Sequence, residues 1–464
     1  MVLLALAAVL LLAPTDRPKP EAPVRILIDS IHAHNFLRIA ANDDPFSYHR
    51  AYGLRRAFRA LEVQGVRTQE AGSGRIDDAR LAGVRALFIN LVSAELPAFS
   101  VPEIAAIKRF VLRGGGLFVV TDHSNCYYHA HKLAPLMEEL GMRVTTETAA
   151  ERGPLTLGAG NGWFVAVDFA KHPVTRGLRA VALQTGGTVD DRWAMARTTA
   201  RAWGDQWTSH PFGEGDTPGH YGNWKQDPGE RTGPLGVVAA RTLGQGRIVV
   251  VADQNLLGDP FIRYADNGRL WLNAMAWLTR EPRLAAAGPF TGAVGPRVAA
   301  YEEYRASLWG NSGSKGLFNL FAALGRHVPL CAAADLPEAP DLILFAHDGY
   351  DLPDATADAV VDHLRRGNPV VILGSAKAPG SLTRMLAARL GEPKVSDESG
   401  NRVATYPRGG GRLVTLKALE ALRNPRLAPP ERKPTEEQRV LVDALLVLLR
   451  DEMTRAAAGR QAPR

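Results

Sequence analysis

Cysteine is nearly absent, with only Cys126 and Cys331 in 464 residues. Two residues this far apart give neither a disulfide framework nor the Cys-x-x-Cys spacing of a structural zinc site, although one bridge between them stays open. Nucleotide-binding signatures are also missing: no Gly-x-Gly-x-x-Gly follows a strand-like run, and no Gly-x-x-x-x-Gly-Lys-Ser/Thr occurs. The Gly409-Gly410-Gly411 turn reads as a strand entry rather than a phosphate cradle. Aromatics make up 7% of the chain and are not interleaved with basic residues on any one face, so the formal charge of +7 does not describe a nucleic-acid surface. No transmembrane span is expected either. The apolar run Val2 to Ala13 is too short to cross a bilayer, and Pro14, Pro18, Pro20 and Pro23 follow it. It reads as a signal-peptide core and linker, which implies export to the periplasm or beyond, although no Lys or Arg precedes it. No cysteine follows it that could carry a lipid anchor.

What is present is material for packed cores. Hydrophobic residues make up 46% and charged residues 22%, and the length suits two or three domains. Val24 to Ile28, Arg85 to Leu91, Leu117 to Thr121 and Gly246 to Ala252 are short apolar runs. Helix-period stretches at Ser47 to Leu61, Pro102 to Leu112 and Asn267 to Leu278 accompany them. Strands alternating with helices predict parallel βαβ units. Residues from about 147 to 236 are rich in Gly, Pro, Trp and His and predict an irregular or β insert. Trp163, Trp193, Trp203, Trp207 and Trp224 within it could form a sugar-stacking platform, but are expected to supply a core where aliphatics are few.

The order of elements repeats. RALFINL, SVPEIAAIKRFVLRGG, GLFVVTD and HKLAPLMEELGMRV, within Leu81 to Val144, are matched by DLILFAH, DATADAVVDHLRRG, NPVVILG and GSLTRMLAARLGEPKV, within Leu336 to Val395. GQGRIVVVADQNLL and its closing helix are echoed by GGGRLVTLKALEAL and a helix over Glu436 to Leu449. Four successive elements that keep both order and spacing indicate duplication. The expected organisation is therefore a leader and linker at 1–23, a first domain at 24–283 and a linker at 284–297. A second, reduced domain at 298–452 and a disordered tail at 453–464 complete it.

The strand RILIDSIHAHN, the helix ending in three glycines, GLFVVTDHSN, and GQGRIVVVADQNLL with DNGRLWLNAMAWL resemble the class I glutamine amidotransferase-like domains of exported bacterial proteins. The arrangement is also similar to domains of gliding-motility and intraflagellar-transport proteins. The resemblance implies an α/β fold of two tandem flavodoxin-like parallel-sheet domains, the first carrying the Gly/Trp-rich insert. It also implies that active members place a cysteine on a strained strand-to-helix elbow. Here Thr121 or Asp122 falls at that turn in the first copy, and Gly374 or Ser375 in the second. Neither copy has the nucleophile, so glutaminase activity is not expected and the chain reads as a pseudoenzyme.

The carboxyl ends of neighbouring parallel strands converge on one crevice. Asp29, His32 and His34 follow the first strand, Asp122, His123 and Asn125 follow GLFVVT, and Asp253 and Asn255 follow GRIVVVA. Carboxylates and imidazoles together suit a divalent metal, general acid–base work or hydrogen bonding to a hydroxyl-rich ligand, and the spacing does not choose among them. Most of these side chains have an alternative use as helix caps and turn partners. Two functional classes are therefore carried forward. The first is a non-catalytic binding or scaffold module for a polar small molecule, glycan or protein partner, and the second is a hydrolase, metal-dependent or not, working from the Asp/His crevice. Amino-terminal sequencing of secreted protein is expected to begin between Ala13 and Val24; recovery of Met1 would show that the leader is retained.

Overall fold

The computed structural model describes residues 23–33, 53–152, 162–206, 222–258, 262, 265–286, 298–300, 330–332, 342–345, 348–372, 379–398 and 401–416, together with 447 and 451. The expected leader, the body of the linker, the tail and, apart from Val447, the helix over Glu436 to Leu449 lie outside the described residues.

The chain is a mixed α/β protein. Its first part runs β1 (Arg25–Asp29), α1 (Arg55–Glu62), β2 (Arg67–Ala71), α2 (Asp78–Leu81), β3 (Ala86–Ile89), α3 (Val101–Leu112), β4 (Gly116–Val120) and α4 (His129–Glu139). The insert follows as β5 (Val144–Ala150), β6 (Trp163–Ala166), β7 (Asp168–Phe169), β8 (Val181–Gln184), β9 (Gly187–Val189), β10 (Ala194–Arg197) and β11 (Trp203–Gln206). Strands β12 (Gly236–Leu243) and β13 (Gly246–Val251) and helices α5 (Asn267–Thr279) and α6 (Arg283–Ala286) return to the frame.

The main sheet has the order β2-β1-β3-β4-β13-β12-β10-β7, parallel from β2 to β13 and antiparallel beyond it. Strands covered on both faces read as continuous apolar runs, and successive side chains alternate between the two layers. Ile26, Ile28, Phe88, Phe118, Val120, Val249 and Val251 pack with α1 and α5. Leu27, Leu87, Ile89, Leu117, Val119, Ile248 and Val250 pack with α2, α3 and α4. Ser100 and Glu103 form a capping box that starts α3, and Gly114, at φ +112°, turns the chain from α3 into β4. Leu284 of α6 is buried in the first core, so that core extends past the expected boundary at residue 283.

The described part of the insert is mainly β structure, with short 3-10 turns at Pro173–Thr175 and Asp191–Trp193. Strands β11, β5 and β9 form an antiparallel sheet, β6 pairs with β8, and β7 and β10 extend the main sheet. Its three described tryptophan side chains pack against neighbouring groups. Trp203 is buried beneath the Arg152 guanidinium, Trp193 is half-buried beside Arg241, and Trp224 is half-buried against Gly162. The Trp163 side chain and all of Trp207 lie outside the described residues.

The second part runs β14 (Val298–Ala300), β15 (Leu330–Ala332), β16 (Leu342–Phe345), α7 (Asp354–Arg365), β17 (Val370–Ile372), α8 (Ser381–Leu390), β18 (Lys394–Glu398), β19 (Asn401–Thr405) and β20 (Arg412–Thr415). Its sheet has the order β15-β14-β16-β17-β20-β19-β18, parallel from β15 to β20 and antiparallel beyond it. Both sheets thus place five parallel strands in the same order, and the two matched segments each run strand, helix, strand, helix. Where β5 to β12 intervene before the last parallel strand of the first sheet, the described residues of the second show only the β18–β19 hairpin.

Trp271 anchors the α5 layer. It meets Phe58, Phe88 and Phe118 edge-on at 5.2 to 5.7 Å between centroids and donates its indole N–H to the Ala57 carbonyl at 2.7 Å. Trp271→Ala is expected to destabilise the protein by about 3–5 kcal/mol, read from equilibrium urea unfolding; a loss below about 1 kcal/mol would show that this layer does not hold the first core.

Candidate functional site

Seven of the eight sequence-derived candidates are described, and they fall at the carboxyl edge of the main sheet in two groups. His34 lies outside the described residues. The first group is Asp29 and His32, both buried. Asp29 Oδ1 accepts the Ile31 N–H at 2.9 Å, and His32 Nδ1 lies 3.1 Å from both carboxylate oxygens. The far ring nitrogen, Nε2, is 3.4 Å from Glu103 Oε1, and the ring stacks on Phe99 with centroids 4.0 Å apart. Glu103 also accepts from the Ile76 N–H, from the Ser100 N–H and from the Ser100 hydroxyl. Burial raises the Glu103 pKa, but the hydrogen bonds from Ser100 and Ile76 and the charge of His32 outweigh it and hold the carboxyl below its ordinary value. Sequence reading missed Glu103 as a site residue, because Ser-x-x-Glu before an apolar run signals only a helix cap.

The second group gathers where β4 and β13 end side by side. Asp122 Oδ1 accepts the His123 N–H at 2.7 Å and Oδ2 accepts the Gln254 N–H at 3.2 Å. Asp253 accepts the Gln184 N–H at 2.6 Å and the Asn255 N–H at 2.7 Å. Burial first and the charge of Asp253 second push the Asp122 carboxyl well above its ordinary range, while burial lifts Asp253 to about 7. Cys126 is buried in the turn that precedes α4, and burial together with the Asp122 and Asp253 charges pushes its thiol up. His129 stands 3.7 Å from that sulfur, yet Nδ1 lies 2.8 Å from the Cys126 carbonyl and Nε2 accepts the Asp122 N–H at 3.2 Å. Burial drops its pKa to about 4. A neutral ring engaged at both nitrogens cannot act as the base for the thiol.

Asn125 and Asn255 are held by their surroundings. Asn125 Oδ1 accepts the Ala130 N–H at 3.1 Å at the start of α4, and Asn255 Nδ2 donates to the Gln184 carbonyl at 3.2 Å. The two groups belong to strands separated by β3, hence about 10 Å apart at the ordinary strand spacing. The structure brings Asp29 to His32 and Asp122 to His123. One further grouping has ligating chemistry: one donor atom each from Asp122, His123 and Cys126 lies within 4.8 Å of the others.

The edge is covered by the insert. Gly187 donates its N–H to the Ala252 carbonyl at 2.6 Å, and a Cβ there would stand 2.4 Å from the Asp122 carbonyl oxygen. At Gly186 a Cβ would stand 2.9 Å from the Asp253 Cβ. Only glycine permits so close a backbone approach. In the second sheet Asp348 accepts from Gly380, from the Thr383 N–H and from the Thr383 hydroxyl, which makes it a cap for α8. His347 and the turn at Gly374 and Ser375 lie outside the described residues.

No protein-family model matches the chain, and no curated protein matches it. Among solved structures, the mmIFT52 N-terminal domain is similar over 55% of this chain and 97% of its own, at 14% identity and a TM-score of 0.40. A ThuA-like protein from Bacteroides uniformis is similar over 60% of this chain and 99% of its own, at 14% identity and 0.34. One from Parabacteroides merdae covers 55% and 90%, at 11% and 0.31. The fold and site define a mixed α/β protein with parallel-stranded sheets and a buried carboxylate, imidazole and thiol cluster at its strand ends.

A carboxyl whose folded pKa is depressed stabilises the fold fully above its unfolded value, near 4.5 for Glu103, and that stability is lost as pH falls through the folded value. Glu103→Gln is expected to cost about 1–2 kcal/mol at neutral pH and to flatten the acid limb of stability below 4.5. Urea unfolding across a pH series measures both; an unchanged acid limb would deny Glu103 this part.

Proposed function

We propose that the chain is an exported, non-catalytic binding or scaffold protein of degenerate class I glutamine amidotransferase-like fold that recognises a polar ligand, a glycan or a protein partner. Two tandem flavodoxin-like domains carry it, a reading supported by the shared strand order, in which the second strand lies outside the first and the third to fifth follow on its other side. Export rests on the Val2 to Ala13 run, and among the described residues no helix is long and apolar enough to cross a membrane.

The observation that carries the non-catalytic reading is the construction of the turn after β4. Acyl transfer there needs an exposed nucleophile, a base and room for a tetrahedral centre. Asp122 stands at that turn instead, with both carboxylate oxygens accepting backbone N–H groups, and Gly187 packs against its carbonyl. The nearby imidazole of His129 is committed to two backbone groups.

The hydrolase alternative draws its support from the grouping of Asp122, His123 and Cys126. Purified protein given glutamine, and separately an activated ester, is expected to release neither ammonia nor alcohol above the buffer rate. Turnover that disappears in Asp122→Asn would replace the binding reading with the hydrolase.

A further inference from the structure

We infer that Asp122, His123 and Cys126 form a mononuclear site for a thiophilic divalent cation of the zinc class. The distances between the candidate ligands support it. His123 Nε2 stands 3.9 Å from Asp122 Oδ1, beyond hydrogen-bond reach and a few tenths of an ångström wider than the roughly 3.3–3.6 Å between two tetrahedral ligand atoms at about 2.0–2.2 Å from one ion. All three donor atoms fall within 4.8 Å of one another, a span that small side-chain rotations close onto a common centre.

The surroundings resemble the outer shell of a metal site. Ligating carboxylates are held by hydrogen bonds, and ligating imidazoles engage their second nitrogen. Asp122 receives the His123 and Gln254 N–H groups and keeps a further lone pair on each oxygen. His123 Nδ1 lies 2.9 Å from the Ser124 hydroxyl, and Nε2 is the ring nitrogen on the side of Asp122 Oδ1.

Charge supplies an independent argument. Asp122 and Asp253 are both buried, and among the described residues neither pairs with a Lys or Arg; their partners are backbone N–H groups and the His123 ring. Two buried carboxyls beside one another resist ionising together, and a bound cation would offset the cost of ionising both. The backbone is also strained where the ligands are set. Ser124, Tyr127 and Tyr128 all adopt left-handed conformations, at φ 47°, 54° and 59°, around Cys126. Such strain persists where surrounding interactions over-determine a geometry.

The ligand set selects the ion. One sulfur, one imidazole nitrogen and one carboxylate oxygen suit zinc or cobalt and do not suit magnesium or calcium. Three protein ligands leave a fourth position for water or an oxygen of a bound ligand. The site does not depend on the non-catalytic reading, since an ion held without turnover agrees with it and an ion held with turnover agrees with the hydrolase.

The full chain, loaded with Zn²⁺ and dialysed, is expected to retain one equivalent by elemental analysis. The Co²⁺ form should show a sulfur-to-cobalt charge-transfer band. Because the chain has two cysteines, persistence of that band in Cys331→Ser assigns the sulfur to Cys126 even if Cys126→Ser does not fold. Where it folds, Cys126→Ser should abolish the band, and His123→Gln should weaken zinc binding at least about tenfold. Failure of the wild type to retain zinc, a cobalt spectrum without the sulfur band, or loss of the band in Cys331→Ser would overturn the site.

Discussion

Three buried carboxylates at the carboxyl edge of one parallel sheet set the terms for everything built around that edge. Asp29, Asp122 and Asp253 are 1%, 2% and 0% exposed, at the ends of β1, β4 and β13, of which β4 and β13 lie side by side and β1 two places from β4. Buried charge without compensation is not tolerated, so each carboxylate must find donors. Asp29 finds them in its own loop, from Ile31 and His32. Asp122 and Asp253 reach further: Gln254 lies 132 residues from Asp122, and Gln184 lies 69 residues from Asp253.

Those long reaches explain how the insert is held. Gln184 closes β8, and the same strand is fixed along its length by side chains from the entry to α5. Asp266 accepts the N–H groups of Arg179 and Ala180, and Asn267 exchanges two hydrogen bonds with the Ala182 backbone. With β8 clamped in this way, the chain leaving it crosses the strand ends at Gly186 and Gly187, where no side chain would fit. Docking of the insert and covering of the edge are one structural event.

The frame was legible because its signals are local. GLFVV and GRIVVV announce strands buried on both faces, and the capping box at Ser100 and the glycines after Leu112 mark the ends of α3. Site composition was legible too, since Asp and His follow predicted strands. Its arrangement was not. Nothing in the periodicity of β8 says that the chain leaving it crosses the ends of β4 and β13, and Gly186-Gly187 resembles any turn. Cys126 reads as a loop residue until the fold places its buried sulfur near Asp122 and within the influence of Asp253. Glu103 shows its second use only when His32 is seen against it.

The second sheet shows what the same edge requires without a long insert. Its described counterpart is the β18–β19 hairpin, which turns back within a few residues. The buried Asp348 is therefore satisfied by the nearest donors, the first N–H groups of α8 and the Thr383 hydroxyl. A helix start supplies both donors and a favourable dipole, so a carboxylate there needs no cation. In the first sheet, Asp253 draws its donors from the insert and from its own turn, and Asp122 from the turns of two strands; neither carboxylate caps a helix of eight or more residues. The concentration of chemistry in the first part is thus tied to the insert: it carries Gln184 and Gly187 to the strand ends and buries the acids there.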